Sequence, residues 1–342
     1  MATQSTDSRT FNDLVSMTFE NVQAGVQDNI YESNPTFAKL NESGNIEKFN
    51  GGRRLDELII TDENDTVQSY SAGGTFNTTE QEQFSRAQYE VRFVGGTIAW
   101  NREDERLNSG EAAIDNFVTS RIMAGTKQMK QQLNLQLLRT GAKAAAGDID
   151  GLAQAITNSP STSGAYGGFN GATDTFWQNQ VETSANTATR TSIITELLNL
   201  SVNCQLQASG APDFYLADPT SWQILASGMQ DAVRIADKTS ANVGFDSIQY
   251  RGVPIFFDAM VPDVQAGTNF GTAMADGVIF ALNSNAMKLK VDSESDIAML
   301  DLQVPTTNPT RRVRPMVWYG NLVTTERRAV GVLENINLTT IA

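Results

Sequence analysis

Two β-patterned segments flank a long acidic stretch, and that arrangement constrains the chain more than any other feature. The first, Arg53–Thr61, carries Leu55, Leu58, Ile59 and Ile60. In the second, Tyr89, Val91 and Phe93 alternate with Glu90 and Arg92, the period of two that marks a half-buried strand. Between them Asp62–Glu82 is acidic, rich in Gly, Ser and Thr, and has no apolar periodicity. The pattern predicts an extended hairpin over residues 45–95 with a long polar tip. A two-stranded ribbon is at best marginally stable alone in water. Little in the hairpin's own sequence offers a second layer, so its apolar face, read as Tyr89, Val91 and Phe93, is expected to dock on a neighbouring subunit.

The rest of the chain reads as α+β. Gly95-Gly96 interrupts the second strand segment, and Thr97–Trp100 resumes it. Asn108 with Glu111 three residues on fits a capping box. Ile114, Phe117, Val118, Ile122, Met129, Leu133, Leu137 and Leu138 then follow at helical spacing, and Gly141 stands where a helix-ending glycine belongs. This predicts a helix over 108–140, about 45 Å long at 1.5 Å per residue, too long for a compact small domain to enclose. Residues 141–190 are rich in small and polar residues but carry anchors at Phe169, Phe176 and Trp177, so they read as an ordered loop. From 191 a helix (Ile193, Ile194, Leu197, Leu198, Val202, Leu206), a short strand Phe214–Ala217 and a helix opened by Asp218-Pro219 succeed one another. Further strands are expected at Tyr250–Asp258 around Gly252, Val278–Leu282, Met287–Val291, Met299–Val304, Arg312–Trp318 and Ala329–Leu333. At 342 residues the chain is long enough for two or three packed units.

Catalytic chemistry has little to work with. There is no histidine, which excludes His-based triads and imidazole ligands. The single cysteine, Cys204, lies on a helical apolar stripe and reads as a buried core residue. Asp62, Asn64 and Thr66 mimic the start of a calcium loop, as do Asp292, Glu294 and Asp296, but Val67 and Ile297 occupy the glycine position. Gly164–Gly171 lacks the setting of a phosphate loop, and no Gly-x-Ser-x-Gly elbow occurs. No cofactor and no metal site is expected. No apolar run approaches the roughly 20 residues of a membrane helix, and the polar Met1–Phe11 stretch offers no signal region.

Charge adds a clue to partners. The net charge is −14, and residues 1–110 hold 9 basic and 18 acidic groups. Such a chain is not expected to grip DNA phosphates, since that affinity rests on Lys and Arg. Arg311–Arg328 runs the other way, with five Arg and one Glu. Two readings of this charge are open: groups scattered over solvated faces, the commoner case, or attraction between the acidic front and basic tail of neighbouring copies. The expected inter-subunit contacts are Arg53, Arg54, Tyr89, Val91, Phe93, Arg311, Arg312 and Arg314.

The order of several segments resembles the major capsid protein of tailed bacteriophages, the Hong Kong 97-type fold. They are Tyr89–Phe93 running into Ile98-Ala99-Trp100, Asn108-Ser109-Gly110-Glu111 opening the long helix, Gly151-Leu152 with Ile156, Gly167-Gly168-Phe169-Asn170, and Phe176-Trp177-Gln178-Asn179. Pro212-Asp213, Asp218-Pro219, Tyr250–Ile255 leading to Asp258, Phe280–Asn283 and Tyr319–Val323 complete the series. The resemblance implies an N-terminal arm (1–44) and an extended loop (45–95) over the adjacent subunit. It also implies a peripheral domain (96–187 and 284–320) with spine helix 108–140, and an axial domain (188–283 and 321–342).

It implies in turn a structural protein rather than an enzyme, which self-assembles as hexamers and pentamers into the icosahedral shell of a virion in the bacterial host cytoplasm. A separate scaffolding protein, a portal and maturation factors are implied partners, with double-stranded DNA enclosed but not tightly bound. Some members crosslink subunits through Lys and Asn; Lys39 and Lys48, the lysines near or in the hairpin, carry no mark of reactivity, so none is expected here. An encapsulin-like cargo shell of the same fold is the alternative within the class. A carboxylate-based glycan hydrolase is the alternative outside it, and would show two close carboxylates of raised pKa in a pocket.

Overall fold

The computed structural model describes residues 39–40, 44–62, 64–107, 117–138, 147–162, 165–184, 190–207, 210–229, 248–258, 260–261 and 277–336. In chain order come β1 (Ile46–Phe49), β2 (Arg54–Ile60), β3 (Phe84–Glu90), β4 (Arg92–Asn101), α1 (Arg102–Leu107), α2 (Phe117–Leu138) and α3 (Leu152–Ala155). Next are β5 (Ala165–Tyr166), β6 (Phe169–Asn170), β7 (Gln180–Thr183), α4 (Arg190–Gln207), β8 (Phe214–Ala217), α5 (Pro219–Met229), β9 (Ile248–Tyr250) and β10 (Val253–Phe257). The chain closes with β11 (Gly277–Leu282), β12 (Met287–Asp292), β13 (Ala298–Met299), β14 (Arg311–Thr324) and β15 (Gly331–Ile336).

Two sheets organise these elements. The first has the order β1-β12-β14-β13, with β4 also paired to β14; the second runs β7-β15-β11-β8-β10-β9. β11 is buried along its whole length, as its unbroken apolar run Val278–Leu282 requires of a central strand covered on both faces. On α4 the spacing of Ile193, Leu197, Leu200 and Cys204 puts four fully buried side chains on one stripe, packed with Ile279 and Leu333 of the second sheet. Burial there pushes the Cys204 thiol up to about 12, so it is an inert core residue. Asp218 caps α5: its Oδ2 accepts the N–H groups of Thr220 and Ser221, both at 3.0 Å, while Oδ1 accepts that of Val278 at 2.9 Å. One carboxylate thus satisfies two orphan donors of the helix and fixes its start to β11.

α2 buries Met129, Leu133, Leu137 and Leu138 in the core that the first sheet shares with Phe280 and Leu282 of the second. Asn134, fully buried on the same helix, donates from Nδ2 to Asp258 Oδ2 at 3.0 Å, linking the helix to the connection after β10. The capping pair Asn108/Glu111 and the terminal Gly141 lie outside the described residues. Glu103, Asp104 and Glu105 lie in a separate short helix, α1, in which Glu105 accepts from the Trp100 indole at 3.2 Å.

Several boundaries differ from the sequence reading. The interruption falls at Val91 and not at Gly95-Gly96, because β3 pairs with β2 whereas β4 runs unbroken against β14 from Arg92–Gly320 to Asn101–Arg311. β1 adds in parallel to β12, so it belongs to the first sheet rather than to the hairpin. β7 joins the second sheet beside β15. β14 continues through Thr324, which pairs with Met287, so the first sheet extends past residue 320. Of Met299–Val304 only Met299 pairs as a strand, together with Ala298 before it, and a single further bridge joins Gln303 to Val313.

Candidate assembly surface

The hairpin alternates strictly, and its two faces have different fates. Leu55 pairs with Tyr89, Glu57 with Ala87 and Ile59 with Ser85; between them fall Arg54 with Glu90, Asp56 with Gln88, Leu58 with Arg86 and Ile60 with Phe84. The first set points into the chain's own core, where Leu55, Ala87 and Tyr89 are buried. The second set points out, and all eight of its members are exposed.

The root is fixed by a cluster around Tyr89. Its hydroxyl donates to the Thr324 carbonyl at 2.7 Å. The Tyr166 ring meets it edge-on at 5.3 Å, and the Tyr166 hydroxyl lies 3.1 Å from Thr324 Oγ1. Burial raises the pKa of both phenols. Gly167 is required here: it sits at φ 62°, and a Cβ on it would meet the Tyr89 hydroxyl at 2.8 Å. Its carbonyl accepts the Gln88 N–H at 2.9 Å. Arg327 stacks over Tyr166 at 5.3 Å and donates to the carbonyls of Ala155, Trp177 and Gln154. It is 1% exposed, and burial lowers its pKa. Beside this cluster Lys290 pairs with Glu57, and Lys288 with Glu47 at 2.7 Å.

At the break between β3 and β4, Asn321 is fully buried. Its Nδ2 donates to the Glu90 carbonyl at 2.9 Å and to Asp150 Oδ2 at 2.7 Å, and its Oδ1 accepts the Asp150 N–H at 2.9 Å. Arg92 reaches Asp150 at 3.4 Å and Glu90 at 3.5 Å. The point where the ribbon leaves the body is therefore held by side chains of both sheet and loop.

Towards the free end the outward face turns apolar. Leu58 is 66% exposed, Ile60 70% and Phe84 62%. In the tip the Tyr70 and Phe76 rings meet at a tilt, 4.6 Å between centres, both exposed, among Asp62, Asp65, Glu80 and Glu82. Large apolar side chains gathered on one exposed face mark an interaction surface.

This corrects the sequence reading of the hairpin face. Tyr89 is buried in its own chain and cannot be an inter-subunit contact. Val91 lies at the break and is half-buried against its own core. Only Phe93 of the three is exposed, in an edge-on pair with Tyr319 at 4.8 Å. Alternation carried across Val91 failed because the strand changes partner there. The outward Leu58, Ile60 and Phe84 were missed; the signal was Arg54–Ile60 itself, which has apolar residues at both parities. Arg53 and Arg54 are exposed at the hairpin root, and Arg54 donates to Gln88 at 3.1 Å. Arg311 is exposed, while Arg312 and Arg314 are half-buried, with Arg314 Nε donating to the Leu300 carbonyl at 3.3 Å. The register puts this group at the opposite end of β4–β14 from the root, about 30 Å away at strand rise. The structure does not bring the two Arg groups together.

A cavity of about 510 Å³ lies between α2 and β4, lined by residues including Gly95, Gly96, Gly125, Gln128, Met129 and Met316, and no charged side chain lines it. Burial raises the pKa of the carboxyls of Asp104, Glu182, Asp258 and Glu334, and none of the four lines this cavity. Asn64 folds back on Thr66 in a tight turn, its Oδ1 accepting the Thr66 N–H at 2.9 Å. Among the described residues no three acidic or sulfur ligands converge, and no helix is long and apolar enough to cross a membrane.

No protein-family description and no curated protein sequence matches the chain. Solved structures do. The SrpI encapsulin of Synechococcus elongatus PCC 7942 is similar at 12% identity with a TM-score of 0.58, over 100% of this chain and 99% of its own. The capsid of cyanophage A-1(L) is similar at 12% identity with a TM-score of 0.66, over 93% and 97%. The capsid of the Myoviridae phage XM1 is similar at 13% with a TM-score of 0.58, over 92% and 96%.

Proposed function

We propose that this chain, which has the Hong Kong 97-type fold of tailed-phage capsid subunits, is a major capsid protein. It assembles as hexamers and pentamers into the icosahedral shell that encloses a phage genome. The observation that carries this reading is the division of the hairpin. Its inner face completes the core of its own chain, while its outer face presents Leu58, Ile60 and Phe84 to solvent. Covering three such side chains gives about 1.5–3 kcal/mol of gross burial each, before the cost of ordering the partners.

Charge supports a head-to-tail arrangement. The tip is acidic, and the Arg311–Arg314 group lies at the far end of β4–β14 from the hairpin root. A surface on one end that fits a different surface on the other is a heterologous contact, which closes into rings when the rotation allows. A net charge of −14 makes copies repel, so a separate scaffolding protein organises them, with a portal and maturation factors completing the particle. The chain performs no turnover, and its place is the virion, built in the host cytoplasm. The DNA inside stays mobile against an acidic wall.

The full-length likeness to an encapsulin favours one second reading, a cargo shell of the same fold. Sizing chromatography and electron microscopy of particles formed by the purified chain, followed by analysis of nuclease-protected contents, test both. Closed particles holding DNA support the capsid. Closed particles holding a protein cargo support the second reading. A chain that stays monomeric with its co-expressed scaffold overturns both.

A further inference from the structure

Two Asn-Gly steps occur in the chain, Asn50-Gly51 and Asn170-Gly171, and the fold treats them differently. Asn50 and Gly51 are exposed in the connection from β1 to β2. Gly51 has φ 68°, and a Cβ built on it would meet no atom within 4 Å. Among the described residues no acceptor takes the Gly51 N–H. Ser293, just past β12, donates its hydroxyl to Asn50 Oδ1, and its N–H donates to the Phe49 carbonyl at 3.0 Å. The pairing of β1 with β12 thus holds a hydroxyl on the side-chain oxygen of an open Asn-Gly step.

Asn170 is exposed as well, but its polar groups are tied down. Its Oδ1 accepts the Ala172 N–H at 3.0 Å, its N–H donates to Asp174 Oδ2 at 2.9 Å, and its carbonyl accepts from Thr173 and Asp174. Gly171 is buried, and its carbonyl accepts from Gln178 at 2.7 Å.

We propose that Asn50 is a self-modification site at which the folded chain converts its own amide to aspartate and isoaspartate. Hydroxide removes the Gly51 N–H proton, and the nitrogen adds to Cγ of Asn50. The bond from Cγ to the side-chain nitrogen then breaks, and ammonia leaves with a proton from water. The resulting five-membered imide takes up one water at either carbonyl. Opening on one side gives aspartate; opening on the other gives isoaspartate, whose main chain runs through the former side chain. Nothing is oxidised or reduced, and hydroxide and water are the co-reactants. Addition to Cγ builds negative charge on Oδ1, the atom to which Ser293 already donates, the arrangement that stabilises an oxyanion. Glycine at 51 gives the backbone the freedom that ring closure needs.

Either product sets a carboxylate beside Asp292 and Glu294, which flank Ser293, and isoaspartate lengthens the main chain by one methylene where β2 departs from β1. The modification thus alters charge and reach at the hairpin root.

The test is peptide mapping by mass spectrometry, with isoaspartyl methylation as a second readout. The purified full chain is sampled during incubation in mildly alkaline buffer, beside the same chain in denaturant. The folded chain is expected to convert Asn50 while Asn170 keeps its amide, and the denatured chain to convert both. Ser293→Ala is expected to slow conversion at Asn50 about tenfold, the worth of one hydrogen bond to a developing charge, and Ser293→Thr to restore it. If Asn50 keeps its amide while the denatured chain converts both steps, or Asn170 converts as fast, the proposal is overturned. An unchanged rate in Ser293→Ala overturns the part assigned to that hydroxyl.

Discussion

The Tyr89 hydroxyl donates to the main-chain carbonyl of Thr324 at 2.7 Å, joining the hairpin to the end of a strand 235 positions away. The inner half of the ribbon is therefore core, and only its outer half is free to serve another copy. The consequences of that division can be measured.

Tyr89→Phe keeps the ring against Tyr166 and Gly167 but removes the donor to Thr324. A loss of about 1–3 kcal/mol is expected, the cost of deleting one partner of a buried hydrogen bond. Thermal or denaturant unfolding of the purified chain reads it directly.

Changing Leu58, Ile60 and Phe84 together to Ser should leave the fold alone. Each side chain is more than half exposed, and surface changes away from special features cost within about 0.5 kcal/mol. Particle formation, followed by light scattering under conditions in which the parent chain forms particles, should be lost. Normal particles from this variant would show that the outward face is not the assembly element.

Removing the tip separates it from the root. Ile60 pairs directly with Phe84, so residues 61–83 can be replaced by a two-residue Asp-Gly turn that suits a hairpin. Leu55, Ala87 and Tyr89 keep their places, and the melting temperature should barely move. Shell assembly should fail or give misshapen particles in electron micrographs, because the acidic tip with Tyr70 and Phe76 is gone.

Asp258 is 2% exposed. Burial raises its carboxyl above the ordinary aspartate range, against bonds from Asn134 and the Met260 N–H that favour the ionised form. A folded pKa above the unfolded one means that the folded state holds more protons between the two values. This group's contribution to stability therefore falls as pH rises through that window and is constant above it. Asp258→Asn abolishes the slope. The Asn134 Oδ1, which has no donor among the described residues, is free to turn and accept from the new amide. The variant should be at least as stable as the parent at neutral pH. Its advantage should shrink as the pH is lowered through the window, as melting curves across mildly acidic buffers would show.

Duplex DNA should bind weakly to unassembled subunits. With 25 basic against 39 acidic residues, few phosphates can be neutralised, and a dissociation constant weaker than about 1 µM is expected near physiological salt. Fluorescence anisotropy with a labelled duplex measures it; nanomolar binding would contradict the acidic-wall argument.

Much of the architecture was legible because local pattern and tertiary demand agree. The run Val278–Leu282 needed burial on both faces, and β11 lies in the middle of its sheet. Asp218-Pro219 announced a helix start, and the carboxylate caps it. The hairpin's existence was equally plain from its two flanks. Its orientation was not, because Leu58 and Ile60 compete with Leu55 and Ile59 for the same core, and the choice is made by Tyr166, Gly167 and Thr324, far away in sequence. Alternation across Val91 misled for a related reason: a change of strand partner leaves no mark in a period of two. Arg327 shows the same limit. A fully buried guanidinium satisfied by three carbonyls looks, in sequence, like any member of a basic tail.

The continuity of β3 into β4 has a mechanical consequence. A pull on the hairpin along its own axis travels through Val91 into β4 and acts along that strand. β4 is registered against β14 from Arg92–Gly320 to Asn101–Arg311, so the force meets the rungs of that ladder side by side and must shear them together. It cannot peel them one at a time. Asn321 and Asp150 clamp the entry point, and the tension is delivered to the best-braced strand pair in the first sheet.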